Sequence, residues 1–342
     1  MAIAVNTDRY ARDRSPTEAE PFYRRKLLRV DYEKPHGCFT GLPAFRLERL
    51  IPAGSKGGSV RFHESAREDA MALLCFADLG GYRTLKLEQC RDAGKELAAE
   101  YRSNQPFPHI VIDDFIDRDL LRRVVDEFPD NSGRDCFSRN QERLKFQVRP
   151  DECEGAITRA LFSELNSMAF LTFLSEMTGI SGLIADPYFA GAGLHETKAG
   201  GHLGIHADFP RHDVMRVTRR LNLLVYLNDD WEAEYRGALE LWDRGMTSCR
   251  KSILPLMGRA VVFNTDRDTF HGHPDRLNCP PERSRRSIAT YYYTADSASA
   301  PAFERTTDFR PRPGSKDKRD WSVMLHHLKA DWMPPILQRR KV

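Results

Sequence analysis

Two imidazole side chains and one carboxylate lie so far apart in this chain that few folds can bring them together. His206 and Asp208 form a His-x-Asp pair, and His271 follows 63 residues after Asp208. Two imidazoles and one carboxylate can occupy one face of an octahedral metal ion and leave the opposite face open. A shared site therefore requires a fold that returns distant strands to one place, as a β-barrel does.

The residues after Gly182 support such a fold, because they form short apolar and aromatic segments that glycines separate. The candidate strands are residues 188–196, 220–228, 238–242, 253–263 and 287–294. Short strands at this spacing favour an antiparallel jelly roll or sandwich over a parallel α/β sheet. We therefore expect a mainly β fold with a helical buttress (α+β), built on a double-stranded β-helix.

Helical signals precede these strands. Asp117 offers an N-cap to a helix after the strand 109–113, and a second amphipathic pattern over residues 156–177 ends before Gly179. A further helix is predicted between residues 64 and 100, where Leu73 and Leu74 belong to one apolar face.

The chain divides, on these patterns, into three parts. Residues 1–105 are predicted to be a partly helical extension that contacts substrate or a second subunit, and residues 106–300 the catalytic domain. Residues 301–342 are predicted to be a basic, solvated segment with a short helix, because Arg305 to Val342 contains ten Lys or Arg and four Asp or Glu.

Composition excludes several functional classes. A net charge of +3 gives no electrostatic case for nucleic acid or an anionic membrane as partner. The seven cysteines contain no Cys-x-x-Cys pair, which favours reduced thiols over zinc or redox chemistry. No stretch approaches 18 uninterrupted apolar residues, and no apolar run of useful length opens the chain. We expect a cytoplasmic protein, without excluding a homodimer.

A lone His-x-Asp pair more often marks a surface loop than a metal site, but here further motifs accompany it. In order they are His206-x-Asp208, the run Leu-Val-Tyr-Leu-Asn-Asp-Asp-Trp at 224–231, Gly-Ala-Leu-Glu-Leu at 237–241, His271, and Arg286 within an aromatic strand. This series resembles the 2-oxoglutarate- and iron(II)-dependent dioxygenases, in particular their prolyl 4-hydroxylase-like branch. The resemblance covers residues 107–294 and implies a barrel whose mouth holds iron.

The resemblance implies a role for each matching residue. His206, Asp208 and His271 would bind iron(II), and Arg286 would pair with the distal carboxylate of 2-oxoglutarate, because a guanidinium can hold a carboxylate with two hydrogen bonds. Tyr226 would contact the same carboxylate, with a purely apolar core role as the alternative. The resemblance further implies O2 as a substrate and ascorbate as a stimulant of turnover.

Other residues near these motifs allow alternatives. His273 competes with His271 for the last ligand position, and His271 fits the family pattern better. Arg285 should face away from Arg286 and be a surface charge, because side chains alternate along a strand. Asn222 and Thr290 are predicted to share the interior face with Tyr226 and Arg286, either as contacts to the cosubstrate or as core hydrogen-bonding groups.

Three more histidines, His195, His202 and His212, are closest in sequence to the first ligand pair. For each of them a structural role or a supporting contact is favoured over metal binding.

The function implied is hydroxylation of an unactivated C–H bond, with release of succinate and CO2. Asp208 disfavours halogenation, since the family's halogenases keep that position vacant for chloride, whereas desaturation or cyclisation stays open. The substrate would be a small molecule or peptide: a prolyl or other amino-acid side chain, or a natural-product intermediate. The alternatives are a non-catalytic jelly-roll sensor or scaffold, and a zinc or manganese cupin.

Overall fold

The computed structural model describes residues 72–79, 82–295 and 306–319, together with residues 321, 324 and 325. Within these residues no helix is long and apolar enough to cross a membrane. Most of the proposed extension, residues 1–71, and most of the final segment lie outside the described residues.

The helices are few and the strands many. The helices are α1 (Leu87–Ser103), α2 (Arg118–Asp126), α3 (Ala156–Leu165) and α4 (Met168–Thr178), with short 3-10 helices at Pro150–Glu152 and Ala233–Tyr235. The strands are β1 (Phe76–Leu79), β2 (Tyr82–Leu85), β3 (His109–Ile112), β4 (Phe137–Ser138), β5 (Glu142–Val148), β6 (Ile184–Ala185), β7 (Gly193–Ala207), β8 (Arg211–His212), β9 (Val217–Tyr226), β10 (Leu239–Trp242), β11 (Cys249–Ile253), β12 (Ala260–Asn264), β13 (His271–His273), β14 (Ser284–Ala295) and β15 (Asp308–Phe309).

One curled antiparallel sheet forms the body of the molecule. Its main path runs β11-β10-β13-β7-β14-β9-β12-β3, and β5 and β15 also pair with β7. The long strand β7 changes partner along its length: its first half pairs with β14, and its second half pairs with β13. This change of partner carries the chain between the two halves of a jelly roll, so the predicted fold class is confirmed.

The helices cover one face of this sheet and enclose the main apolar core. Asp117 caps α2 by accepting hydrogen bonds from the amides of Asp119 and Leu120, and Gly179 ends α4 in the left-handed conformation, as the sequence predicts. Cys90 and Tyr101 of α1 are buried in the same core as α4. The boundary predicted at residue 106 therefore falls inside one packed unit.

Three predictions of local structure are wrong, each because a specific local or tertiary contact prevails. The helix predicted over 156–177 is two helices, because Ser167 caps a new one by accepting from the Phe170 amide. The strand predicted over 253–263 is broken at Gly258, which has φ +81°. Residues 73 and 74 are not helical, since their amides donate to the carbonyls of Asp114 and Phe115, and Leu74 forms a parallel bridge with Ile116.

Candidate metal centre and adjoining cavity

Two neighbouring strands bring His206, Asp208 and His271 together. His206 lies near the end of β7, Asp208 follows that strand directly, and His271 begins β13, where it pairs with His206 across the sheet. The three ligand atoms lie within 4.8 Å of one another. They form the only group of three or more His, Cys, Asp or Glu with this spacing among the described residues.

Backbone carbonyls hold both imidazoles in the tautomer that a metal needs. Nδ1 of His206 lies 2.9 Å from the Gly204 carbonyl, and Nδ1 of His271 lies 3.1 Å from the Thr269 carbonyl. A carbonyl only accepts, so each Nδ1 carries the proton and each Nε2 keeps its lone pair. These Nε2 atoms face Asp208, at 3.6 Å from Oδ1 for His206 and 3.4 Å from Oδ2 for His271.

The electrostatics of the cluster favour the protonation states that bind metal. Burial lowers the pKa of His271 to about 4, which keeps its imidazole neutral at pH 7. Burial would raise the pKa of Asp208, but the positive charge of Arg219 holds it well below its ordinary value. Two imidazoles and one carboxylate suit a divalent cation such as iron(II).

A cavity of about 390 Å³ opens beside the triad. Its volume falls in the range of small-molecule sites. Its wall includes the three candidate ligands, Arg285 and Ser287 from β14, and residues of β5, which covers it from one side. A metal ion held by the triad would therefore face a space that can admit a cosubstrate.

Arg285, not Arg286, reaches this cavity. Arg285 is 5% exposed; its Nε donates to the Gly237 carbonyl at 2.7 Å and its Nη2 donates to the Tyr226 hydroxyl at 3.3 Å. Arg286 is half-buried on the opposite face, where its Nε lies 3.2 Å from Glu196 and its guanidinium covers the Phe128 ring. The predicted inward face of β14 is therefore wrong.

The register of β14 explains this correction. Ser287 pairs with Tyr226 of β9, and paired residues of neighbouring strands share a face of the sheet. Tyr226 faces inward, so Ser287 and Arg285 do as well, while Arg286 and Thr290 face outward.

Of the two further residues that were predicted to face the interior, one lines the cavity and the other does not. Asn222 lines the cavity, as predicted, and its amide donates to Asp208 Oδ2 at 2.7 Å. Thr290 does not reach the cavity; its hydroxyl donates to the Tyr292 hydroxyl, within the core beneath the helices. Of the two roles predicted for Thr290, the structure shows core hydrogen bonding and not a place at the cavity, because the residue faces away from it.

The chain matches one protein family, and the match falls on the residues that build this site. Residues 192–293 match the model of the 2OG-Fe(II) oxygenase superfamily. Over this span the chain is similar to that superfamily. The matched span contains the three candidate ligands and Arg285, so iron(II) and 2-oxoglutarate are its cofactor and cosubstrate, and the enzyme is a 2-oxoglutarate-dependent oxygenase.

Solved structures that partly resemble the chain include two prolyl hydroxylases. A prolyl hydroxylase from Trichoplax adhaerens, in complex with a hypoxia inducible factor peptide fragment, is 18% identical, with 60% of this chain and 91% of that chain covered and a TM-score of 0.45. A Pseudomonas putida prolyl-4-hydroxylase is 19% identical, covering 59% and 100%, with a TM-score of 0.40. HygX from Streptomyces hygroscopicus, with nickel and 2-oxoglutarate bound, is 13% identical, covering 58% and 87%, with a TM-score of 0.39. No curated protein sequence matches the chain.

Four further histidines discussed above, His195, His202, His212 and His273, lie outside the three-residue cluster. His195 and His273 line the cavity, and burial lowers the pKa of both, to about 3 for His195. His212 contacts Asp186 at 3.2 Å, and His202 contacts the Asn140 carbonyl at 3.1 Å. His195, His202 and His212 therefore make protein contacts outside the metal cluster.

Sequence reasoning missed Arg219, which is 1% exposed and lies 3.4 Å from Asp208 Oδ2. Strict alternation from Asn222 would place residue 220 on the inner face. A β-bulge leaves Arg220 unpaired, since Tyr292 pairs with Leu221 and Tyr293 with Arg219. The bulge turns Arg219 toward the cavity, and no sequence pattern announces it.

The C-terminal segment was also missed as part of the site. Strand β15 pairs with β7 so that Phe309 lies opposite His206, with the two rings 5.2 Å apart. Thr306 and Thr307 line the same cavity. Part of the segment that was predicted to be a solvated tail thus forms a wall of this cavity.

Proposed function

We propose that this oxygenase hydroxylates an unactivated C–H bond of an amino-acid-derived substrate and converts 2-oxoglutarate to succinate and CO2. The substrate would be a prolyl or other amino-acid side chain, free or in a peptide, or a natural-product intermediate. One observation carries the proposal: the three ligands and the buried cation of Arg285 open on the same cavity.

Arg285 is the residue we propose for the distal carboxylate of 2-oxoglutarate. Among the described residues its electrostatic partner is Tyr226 and not a carboxylate, so a buried positive charge faces the cavity uncompensated. Burial lowers the pKa of Arg285, because its guanidinium is removed from water. An anionic ligand in the cavity would compensate the positive charge. Tyr226 fixes the guanidinium through its hydroxyl, and Ser287 lies two residues further along the same inward face.

Iron(II) with 2-oxoglutarate and O2 supplies, when bound, an oxidant strong enough to remove hydrogen from an unactivated carbon. The side chains of the protein would position the metal and the cosubstrate in a buried site. His206, Asp208 and His271 would hold the metal, Arg285 would hold the far end of the cosubstrate, and Phe309 packs against the His206 ring.

The test uses the whole chain, reconstituted with iron(II) under anaerobic conditions. Addition of 2-oxoglutarate should produce a visible charge-transfer absorption, and admission of O2 should produce succinate. Asp208→Ala should abolish both signals, whereas Asp266→Ala, which removes an exposed carboxylate, should leave them unchanged. Succinate formation at the wild-type rate by Asp208→Ala would refute the assignment.

Peptides and metabolites can then be screened for a mass gain of one oxygen that is coupled to succinate. A gain of one oxygen supports hydroxylation, and a loss of two hydrogens would replace it with desaturation or cyclisation. The two rival classes predict other results. A sensor or scaffold would bind metal without forming succinate, and a zinc or manganese cupin would act without O2.

A further inference from the structure

Asp208 is held by a short chain of two side chains that the metal-ligand motif does not include. Arg219 donates twice to the Asn222 side-chain oxygen, from Nε at 2.9 Å and from Nη2 at 2.7 Å. Asn222 in turn donates from Nδ2 to Asp208 Oδ2 at 2.7 Å. Arg219 Nη2 also lies 3.4 Å from that same oxygen.

The chemistry of these groups permits one orientation only. A guanidinium has donors and no acceptor, so Asn222 must turn its oxygen toward Arg219. Its NH2 group then necessarily points at Asp208. Arg219 therefore decides which end of the Asn222 amide the carboxylate meets.

Arg219 itself is fixed by its surroundings. Its guanidinium carbon lies 3.4 Å from the centre of the Tyr291 ring and 4.6 Å from the centre of the Phe209 ring. It is the largest fully buried side chain among the described residues. Aromatic stacking and burial leave this cation little freedom to move.

We propose that Arg219 and Asn222 are positioning residues, which engage Asp208 Oδ2 so that Oδ1 alone is offered to the metal. This inference rests on the proposed function. Groups that hydrogen-bond to a ligand orient it and tune its basicity, and their loss commonly costs 10- to 100-fold in metal affinity. A carboxylate that binds through one oxygen also keeps a coordination position open for the cosubstrate or O2.

The experiment titrates Co(II) into metal-free full-length protein and records the visible spectrum of the bound ion. The variants are Asn222→Ala, Arg219→Lys and Arg219→Met, with Arg286→Met as a matched control that removes an arginine from the outer face of the same sheet. Circular dichroism of the metal-free proteins checks folding. If Arg219→Met does not fold, Arg219→Lys and Asn222→Ala still carry the test.

We expect Asn222→Ala and Arg219→Met to raise the Kd for Co(II) about 10- to 100-fold and to change the Co(II) spectrum. Arg219→Lys should have a smaller effect, because it keeps the charge and loses the two-pronged contact. The double variant Arg219→Met/Asn222→Ala should lose less than the product of the single losses, since both residues act on one oxygen. Arg286→Met should bind and absorb like the wild type.

Folded Asn222→Ala and Arg219→Met proteins with the wild-type Kd and spectrum would overturn the positioning role. That result would leave the proposed function intact if the wild type forms succinate. Wild-type protein that takes up Co(II) but forms no succinate would defeat the proposed function alone. A wild type that takes up no Co(II) would overturn both.

Discussion

Arg285 and Arg286 are consecutive in β14 and point to opposite faces of the sheet. Arg285 is buried at the cavity beside Tyr226, and Arg286 contacts Glu196 on the outer side. Glu196 is itself 1% exposed and also accepts hydrogen bonds from Asn131 and Ser284. Arg285 therefore faces the cavity, where we propose that it binds the cosubstrate, and Arg286 forms an ion pair within the protein.

Replacement of Arg285 by Ala should therefore raise the KM for 2-oxoglutarate about 30-fold or more, since loss of a buried charge-assisted contact costs about 2 kcal/mol or more. Arg286→Ala should leave this KM near the wild-type value and instead lower the thermal midpoint, because Glu196 loses one of its partners. Steady-state titration of 2-oxoglutarate, with thermal unfolding in parallel, separates the two effects. A larger KM defect in Arg286→Ala would reverse the assignment.

The attachment of β15 to β7 should depend on Arg312. Its guanidinium pairs with Asp317 and Asp275, which joins the final described segment to the loop after β13. Arg312→Ala should accelerate amide hydrogen exchange in β15 severalfold and leave exchange in β14 unchanged. The substitution lowers only the free energy of local unfolding of β15. Exchange measured by mass spectrometry tests this, with Arg310→Ala as the comparison. Equal protection of β15 in Arg312→Ala and the wild type would show that strand pairing alone holds the segment.

His195 should make stability depend on pH. Burial lowers its pKa in the folded protein to about 3, whereas the unfolded value is near 6.5. The unfolded state therefore binds more protons as the pH falls, so this contribution to stability is complete above pH 6.5 and is lost progressively below it.

We expect the metal-free wild type to lose about 1 kcal/mol more than His195→Gln between pH 7.5 and 5.5. Glutamine does not titrate, and its NH2 group can replace the contact of His195 Nε2 with the Gly191 carbonyl at 3.1 Å. Urea unfolding at both pH values measures the difference. An identical pH dependence in the two proteins would mean that His195 takes up its proton as readily folded as unfolded.

Removal of α1 should destabilise the oxygenase although α1 carries no site residue. Cys90 and Tyr101 of α1 are buried in the core that includes α4, and Tyr101 contacts Asn264 at the end of β12. A chain of residues 106–342 should therefore aggregate or unfold at lower temperature, while residues 65–342, one compact unit, should still bind Co(II). Wild-type stability of the shorter chain would show that the core closes without α1.

The sequence by itself identified those residues whose role follows from their amino-acid type and from their order along the chain. His206, Asp208 and His271 are predicted correctly as one cluster, because few side-chain sets suit one face of a divalent metal. The cap at Asp117 and the stop at Gly179 are equally local, since each depends on the conformation of a few neighbouring residues. The antiparallel jelly roll follows from the spacing of short strands.

Only the tertiary structure decided which neighbours of these residues face the cavity. A strand has a period of two, so a change of one residue in register exchanges its faces, and the choice between Arg285 and Arg286 depends on the pairing of Ser287 with Tyr226. The bulge at Arg220 likewise decides that Arg219, and not Arg220, faces the cavity. The return of Phe309 to His206 joins residues more than 100 positions apart, and long-range pairing of this kind leaves no periodic trace in either segment.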